Sequence, residues 1–358
     1  MEKWGIRLAD DSQSVLLKDE NHIVLKSKNY NFSFNKKNGF FVRWGETLED
    51  DGKLELGIPE IADIEISTIC HGVNGVPCAF CYKANTGRGT YMTLDTFKKV
   101  YANLPPSVTQ IAFGIDDIEG NPDMWDIFDY CIEKGIVPNV TVNGEGITDE
   151  IADKLVSKCG AVAVSLYDKD KTYNTIKKLT DKGLKQTNIH FMISDETSKR
   201  AFELMSDYKT DDRLKNLNAI VFLSLKKQGR ATNGFNSLDD DRFRHLIQFA
   251  FKNNVPIGFD SCSAQKFIKS VEGDKNAEKL IQMAEPCEST LYSMYINTDA
   301  KFFPCSFVEG TKGWEDGIDV TECDDFFIDV WYNEKTKSFR KEVINCRNCG
   351  KSCSIFDV

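Results

Sequence analysis

The chain has 358 residues, 41% apolar and 28% charged, enough to bury one large domain with an appendage or two. Its formal net charge of -10, with no long Lys/Arg run, argues against a nucleic-acid partner. A basic-then-apolar start is missing from Met1 to Asp10 and no run of about eighteen apolar residues occurs, so no membrane span and a cytoplasmic location are expected.

Residues 1–60 read as a β-rich N-terminal segment, with a hairpin of strands 30–34 and 40–44 around Lys37-Asn38-Gly39. From Ile61 strands and helices alternate. Strands are expected at 61–66, 108–113, 136–142, 161–166, 187–193 and 219–225, each a short run of β-branched or aromatic residues. Helices open at Thr93, Asn121-Pro122 and Thr148, and Gly135, Gly160 and Gly183 stand just past helix ends. A helix over 237–253 and a short strand over 255–259 follow. Such alternation implies a parallel sheet with right-handed crossovers, open or curled into a full or partial barrel. After about Cys262 it stops, and a cysteine-rich tail contains a further hairpin, 291–296 with 301–303, around Asn297-Thr298-Asp299-Ala300.

Twelve cysteines, several in CxxC pairs, in a long chain without a secretion signal point to metal rather than disulfides. Cys131, on an apolar helix face with Met124, Phe128 and Ile132, and Cys159, before Gly160, read as core packing, as does His190. Directly after the first strand, Cys70, Cys78 and Cys81 share a glycine-containing loop, at the strand end where parallel α/β folds place their sites. Three thiolates on an iron–sulfur cube leave one iron for a substrate. The competing readings are zinc with His71 as fourth ligand, or idle thiols.

Three cysteines closed by CxxC and the aromatic Tyr82, after strand one of a repeated β/α unit, resemble the radical S-adenosylmethionine superfamily. The spacing departs from the usual CxxxCxxC, since seven residues separate Cys70 from Cys78. The resemblance implies a partial (β/α)6 TIM-like barrel over 61–259. It also implies a [4Fe–4S] cluster on the three cysteines that cleaves S-adenosylmethionine to a 5′-deoxyadenosyl radical. Gly114-Ile115-Asp116 stands where the family carries a Gly-Gly-Glu segment for the methionine ammonium group, with Asp116 keeping the anion. Asn143, before Gly144, and Ser165 resemble the residues that bind the ribose and carboxylate, and Tyr82 joins them as a cofactor contact.

In the tail, Cys287, Cys305, Cys346, Cys349 and Cys353 are soft ligands that suit either zinc or a further iron–sulfur cluster. Residues 260–358, read as a separate small domain, resemble the twitch or SPASM extension of radical enzymes. That implies an auxiliary [4Fe–4S] cluster on Cys287, Cys305, Cys346 and Cys349, with Cys353 as rival for the last place and Cys262 and Cys323 as spare thiols. Asp260 is a candidate proton acceptor, or else a cap or solvated loop carboxylate. The resemblance favours modification of a ribosomally made peptide by thioether or carbon–carbon crosslinking or epimerisation, with a flavodoxin- or ferredoxin-like electron donor. A radical dehydrogenase of small molecules and a zinc-stabilised, non-catalytic interaction protein are the alternatives.

Overall fold

The computed structural model describes residues 2–7, 13–28, 30–47, 57–311, 313–351 and 353–356. Strands β1 (Glu2–Arg7), β2 (Gln13–Lys18), β3 (His22–Lys26), β4 (Asn31–Asn35) and β5 (Phe41–Trp44) form an antiparallel sheet in chain order. The expected hairpin is β4 and β5; positions 1, 8–12, 29 and 48–56 of the expected β-rich segment lie outside the described residues. Period-two patterning buries one face, Leu16, Ile23, Leu25, Phe32 and Phe34. Arg43 clamps this sheet to the body: its Nε and Nη2 both reach Oε2 of the buried Glu60 at 2.7 Å, and its guanidinium lies 4.2 Å from the Tyr292 ring centre.

The alternating region follows the expected order. It runs β6 (Ile61–Glu65), α1 (Leu94–Asn103), β7 (Gln110–Gly114), α2 (Met124–Glu133), β8 (Val137–Val142), α3 (Asp149–Lys158) and β9 (Ala161–Ser165). Then come α4 (Lys169–Asp181), β10 (Thr187–Ile193), α5 (Ser198–Thr210), β11 (Ala219–Ser224), α6 (Asp240–Lys252) and the short β12 (Ile257–Phe259). Neighbouring strands from β6 to β12 pair in parallel, and the curved sheet ends at β12 without closing, as a partial barrel does. Thr93, Thr148, Asp168 and Asp239 accept the N–H groups of Thr96, Ile151, Lys171 and Arg242, which fixes where α1, α3, α4 and α6 begin. Phe113 shows how strands meet the helix layer: its ring lies 5.8 Å from Phe97 of α1 and 4.9 Å from Phe128 of α2.

Two sequence expectations shift. Asn121 does not open α2; it is buried, and its amide donates to the carbonyls of Ile66 and Met92, tying the β6 end to the segment before α1. The tail hairpin, β13 (Ser293–Ile296) and β14 (Lys301–Phe303), is not set apart from the barrel. β13 pairs in parallel with β6, and β15 (Ile318–Asp319) completes a ten-stranded sheet ordered β12-β11-β10-β9-β8-β7-β6-β13-β14-β15. The free edge of β6 is thereby paired, which removes an otherwise exposed row of backbone donors and acceptors. Helices α7 (Ala264–Val271), α8 (Ala277–Gln282) and α9 (Glu334–Asn348) fill out the tail. Cys131 and Cys159 are buried, as packing residues should be. Among the described residues no helix is long and apolar enough to cross a membrane.

Candidate active site

The loop from Cys70 to Cys81 leaves the C-terminal end of β6 and is pinned along its length. The Cys70 N–H donates to the Thr86 carbonyl at 3.0 Å. His71 gives both its N–H and Nδ1 to Asp117, at 2.9 and 2.7 Å. The additional residues between Cys70 and Cys78 form a tight turn, Val73-Asn74-Gly75-Val76, whose Asn74 N–H reaches Glu145 at 2.9 Å; Glu145 is in turn paired with Lys171. Gly72 makes this turn possible: its φ is +76°, and a Cβ there would stand 2.1 Å from the Val76 carbonyl oxygen.

A second segment locks the loop from across the barrel. After β11, the Arg230 N–H donates to the Cys81 carbonyl, and its guanidinium donates to the carbonyls of Cys78 (2.9 Å) and Asn85 (3.0 Å). Gly229 must be glycine, because at φ +57° a Cβ would lie 2.3 Å from the Tyr82 carbonyl oxygen. The thiols respond to this frame. Cys81 is pulled down to about 5 by a hydrogen bond with Cys78, helped by backbone N–H groups of Asn85 and Lys83 and by the Arg230 charge, although burial opposes this. Burial, with Asp116 nearby, pushes Cys70 up to about 11. Cys78, sharing its proton with Cys81, is raised.

The three cysteines line one cavity of about 780 Å³ at the C-terminal mouth of the barrel, together with Gly114, Asp116, Asn143, Ser165 and Tyr82. Asp116 accepts from Asn85 Nδ2 at 2.6 Å, and burial lifts its carboxyl to about 6. Asn143 spends its Oδ1 on the Glu145 N–H at 2.8 Å. Tyr82 turns toward the tail, with its ring centre 4.4 Å from Phe307. His71 is not brought to the thiols: it stays bound to Asp117 with 70% of its side chain exposed. His190, on β10 beside Ser165, is driven down to about 4 by burial.

Several residues at the mouth were not singled out from sequence. Tyr167, after β9, hydrogen-bonds both Ser165 and Cys78. Lys83 reaches Tyr295 (2.6 Å), Glu65 (3.2 Å) and Glu309, joining the cysteine loop, β6 and the tail hairpin in one polar knot. Lys226, after β11, is buried and paired with Asp260. Asp260 also accepts from Ser263 Oγ at 2.5 Å and from the Ser224 N–H at 3.3 Å, which anchors its carboxylate without capping the turn that follows.

A second group of thiols gathers behind the cavity. Cys262 hydrogen-bonds Cys353, and Cys287 and Cys305 lie within electrostatic reach of Cys353 and of each other. Cys353 falls to about 6 through the Cys262 contact, the Ile355 and Phe356 N–H groups and Lys226, against burial; burial raises Cys287 to about 11 and Cys305 to about 12. Of the tail CxxC, Cys346 lies within electrostatic reach of Cys353 while Cys349 is exposed at the C-terminal end of α9. Cys323 is apart, donating to the Val320 carbonyl.

Both thiol groups suit a cluster with many acceptor atoms. A guanidinium beside each retains a buried nitrogen without an acceptor among the described residues: Arg230 Nη2 near Cys81, and Arg347 Nε near Cys287. Such an orphaned donor costs ~1–3 kcal/mol unless a ligand accepts from it, and sulfides offer that.

No family model and no curated protein matches the sequence. Solved structures do. The chain is similar to Streptococcus suis SuiB bound to the precursor peptide SuiA, at 14% identity and a TM-score of 0.68, over 91% of this chain and 90% of that one. SuiB bound to S-adenosylmethionine matches at 15% identity and a TM-score of 0.65, over 87% of each chain. Native anSMEcpe with bound AdoMet and the Cp18Cys peptide matches at 13% identity and a TM-score of 0.57, over 81% of this chain and 86% of that one. The chain shares the fold of these structures.

Proposed function

We propose that the chain is a radical S-adenosylmethionine enzyme that modifies a peptide. The observation that carries this reading is the meeting of Cys70, Cys78 and Cys81, the orphaned Arg230 nitrogen and a cavity of about 780 Å³ at one barrel mouth. In this reading the three thiolates hold a [4Fe–4S] cluster, and the cluster with S-adenosylmethionine supplies hydrogen-atom abstraction. The chain's own residues position and shield. Asp116 takes the cofactor's ammonium group, Asn143 and Ser165 its ribose and carboxylate, and the Tyr82–Phe307 pair walls off the cavity toward the tail. Arg230 fixes the spacing of Cys78 and Cys81 through their carbonyls.

The auxiliary cluster is proposed on Cys262, Cys287, Cys305 and Cys353. The set of Cys287, Cys305, Cys346 and Cys349 that the resemblance implies is less apt, since Cys349 is exposed and Cys262 hydrogen-bonds Cys353. The division of labour follows the chain: a sheet over 1–60, the cofactor barrel over 61–259 and the auxiliary site over 260–358. A flavodoxin- or ferredoxin-like protein is the proposed reductant. The peptide substrate class rests on the shared fold with SuiB bound to its precursor peptide and anSMEcpe bound to a peptide. Crosslinking or epimerisation is the expected outcome.

Anaerobic reconstitution with iron and sulfide tests the reading. A brown protein with about eight irons per chain, as two [4Fe–4S] clusters require, is expected, and its electron paramagnetic resonance signal after reduction should change on adding S-adenosylmethionine. A colourless protein holding stoichiometric zinc would contradict it. Co-expression with short peptides encoded beside the gene, read by mass spectrometry, tests the substrate class.

A further inference from the structure

Lys226 has no place in the reading so far. It follows β11 at the barrel mouth, lines the cavity, and has only 4% of its side chain exposed. A lysine is seldom buried so deeply without a task or a full complement of partners. Its ammonium is paired with Asp260, which follows β12, and stands 4.9 Å from the ring centre of Phe307. Both of its partners belong to segments that carry auxiliary cysteines: Asp260 precedes Cys262 by two residues, and Phe307 follows Cys305 by two. Lys226 therefore lines the cavity while held by two segments that carry auxiliary thiols.

The pair with Asp260 is neutral overall, so what a neighbour feels depends on which end is nearer. With the ammonium removed only the Asp260 carboxylate would remain, so the pair is more positive with Lys226 than without it. Already engaged by Asp260, Lys226 is poorly placed to anchor a substrate carboxylate.

We propose that Lys226 is a positioning residue that holds a positive charge between the cavity and the auxiliary site and thereby raises the reduction potential of the cluster bound by Cys262, Cys287, Cys305 and Cys353. The inference rests on the auxiliary cluster assignment above. A cluster with four thiolate ligands is already anionic, and an added electron increases that charge. A buried cation beside the site stabilises the reduced form more than the oxidised one, because little water screens it. The effect makes the auxiliary site a better one-electron acceptor on the side that faces the cavity.

The test isolates the auxiliary cluster in full-length protein carrying Cys70→Ala, Cys78→Ala and Cys81→Ala, and follows its reduction by electron paramagnetic resonance against poised mediators. Lys226→Met in that background is expected to shift the one-electron equilibrium at least tenfold toward the oxidised cluster, about 59 mV more negative. Lys226→Arg should stay near the parent value. Asp260→Asn, which leaves the ammonium uncompensated, should shift the potential in the opposite direction, and keeps the test open if the methionine variant fails to fold. Unchanged potentials in a protein that retains about four irons would overturn the role of Lys226 alone. A parent protein with no iron at all would overturn the auxiliary assignment and the inference with it.

Discussion

At the scale of single residues, Arg230 carries much of the cysteine loop's geometry and is the residue that sequence reading had least chance of finding. Its guanidinium binds the carbonyls of Cys78 and Asn85 and keeps one buried nitrogen for a further acceptor. Nothing in the local sequence Gln228-Gly229-Arg230 marks it, because its partners lie far away in the chain and a carbonyl acceptor leaves no residue signature. Arg230→Met should lose both contacts, each worth ~1–3 kcal/mol to the loop. Iron in the first site should drop by about half or more while the four auxiliary irons remain. Iron analysis with circular dichroism to verify folding checks this, and full iron in the variant would refute the clamp. The cysteines Cys70, Cys78 and Cys81 were legible for the opposite reason: thiols are rare and their spacing is chemistry. His190 offers a pH test. Burial holds its imidazole near 4, against 6.5 in an open chain. The unfolded chain takes up a proton that the folded one refuses, so stability is complete above about 6.5 and declines as pH falls toward 4, by at most ~3 kcal/mol. His190→Gln should lessen that decline, as read from urea midpoints at pH 7.5 and 5; identical slopes would show that the ring is not a sensor.

At the scale of elements, periodicity placed the six long strands within a residue or two, because apolar β-branched runs between capped helices leave few other solutions. What periodicity does not encode is partner choice between distant strands. The union of β13 with β6 joins Tyr295 to Asp63 and Ile296 to Ile64 across the chain, so the tail hairpin was recognised while its position in the barrel sheet was not. The tail cysteines show the same limit. The CxxC of Cys346 and Cys349 is conspicuous in sequence, but α9 ends there and leaves Cys349 exposed. Cys262 and Cys353, unremarkable in spacing, meet because one follows β12 and the other ends the tail. Cys262→Ala is accordingly expected to remove about four of about eight irons, and Cys349→Ala to remove none. The reverse pattern of iron content would restore the CxxC set.

At the scale of the whole molecule, the partial barrel, the pinned loop and the tail enclose a cavity lined by the three loop thiols. The N-terminal sheet is fastened to that body by Arg43, Glu60 and the Tyr30–Tyr292 stack, whose ring centres are 5.7 Å apart. If the first three thiols make the cavity a site of S-adenosylmethionine cleavage, a single product reports on it. Reconstituted, reduced protein incubated with S-adenosylmethionine should release 5′-deoxyadenosine, quantified by liquid chromatography, and Cys78→Ala should abolish it with the fold intact. No product from the iron-loaded wild type, or equal product from the Cys78→Ala variant, would contradict the account.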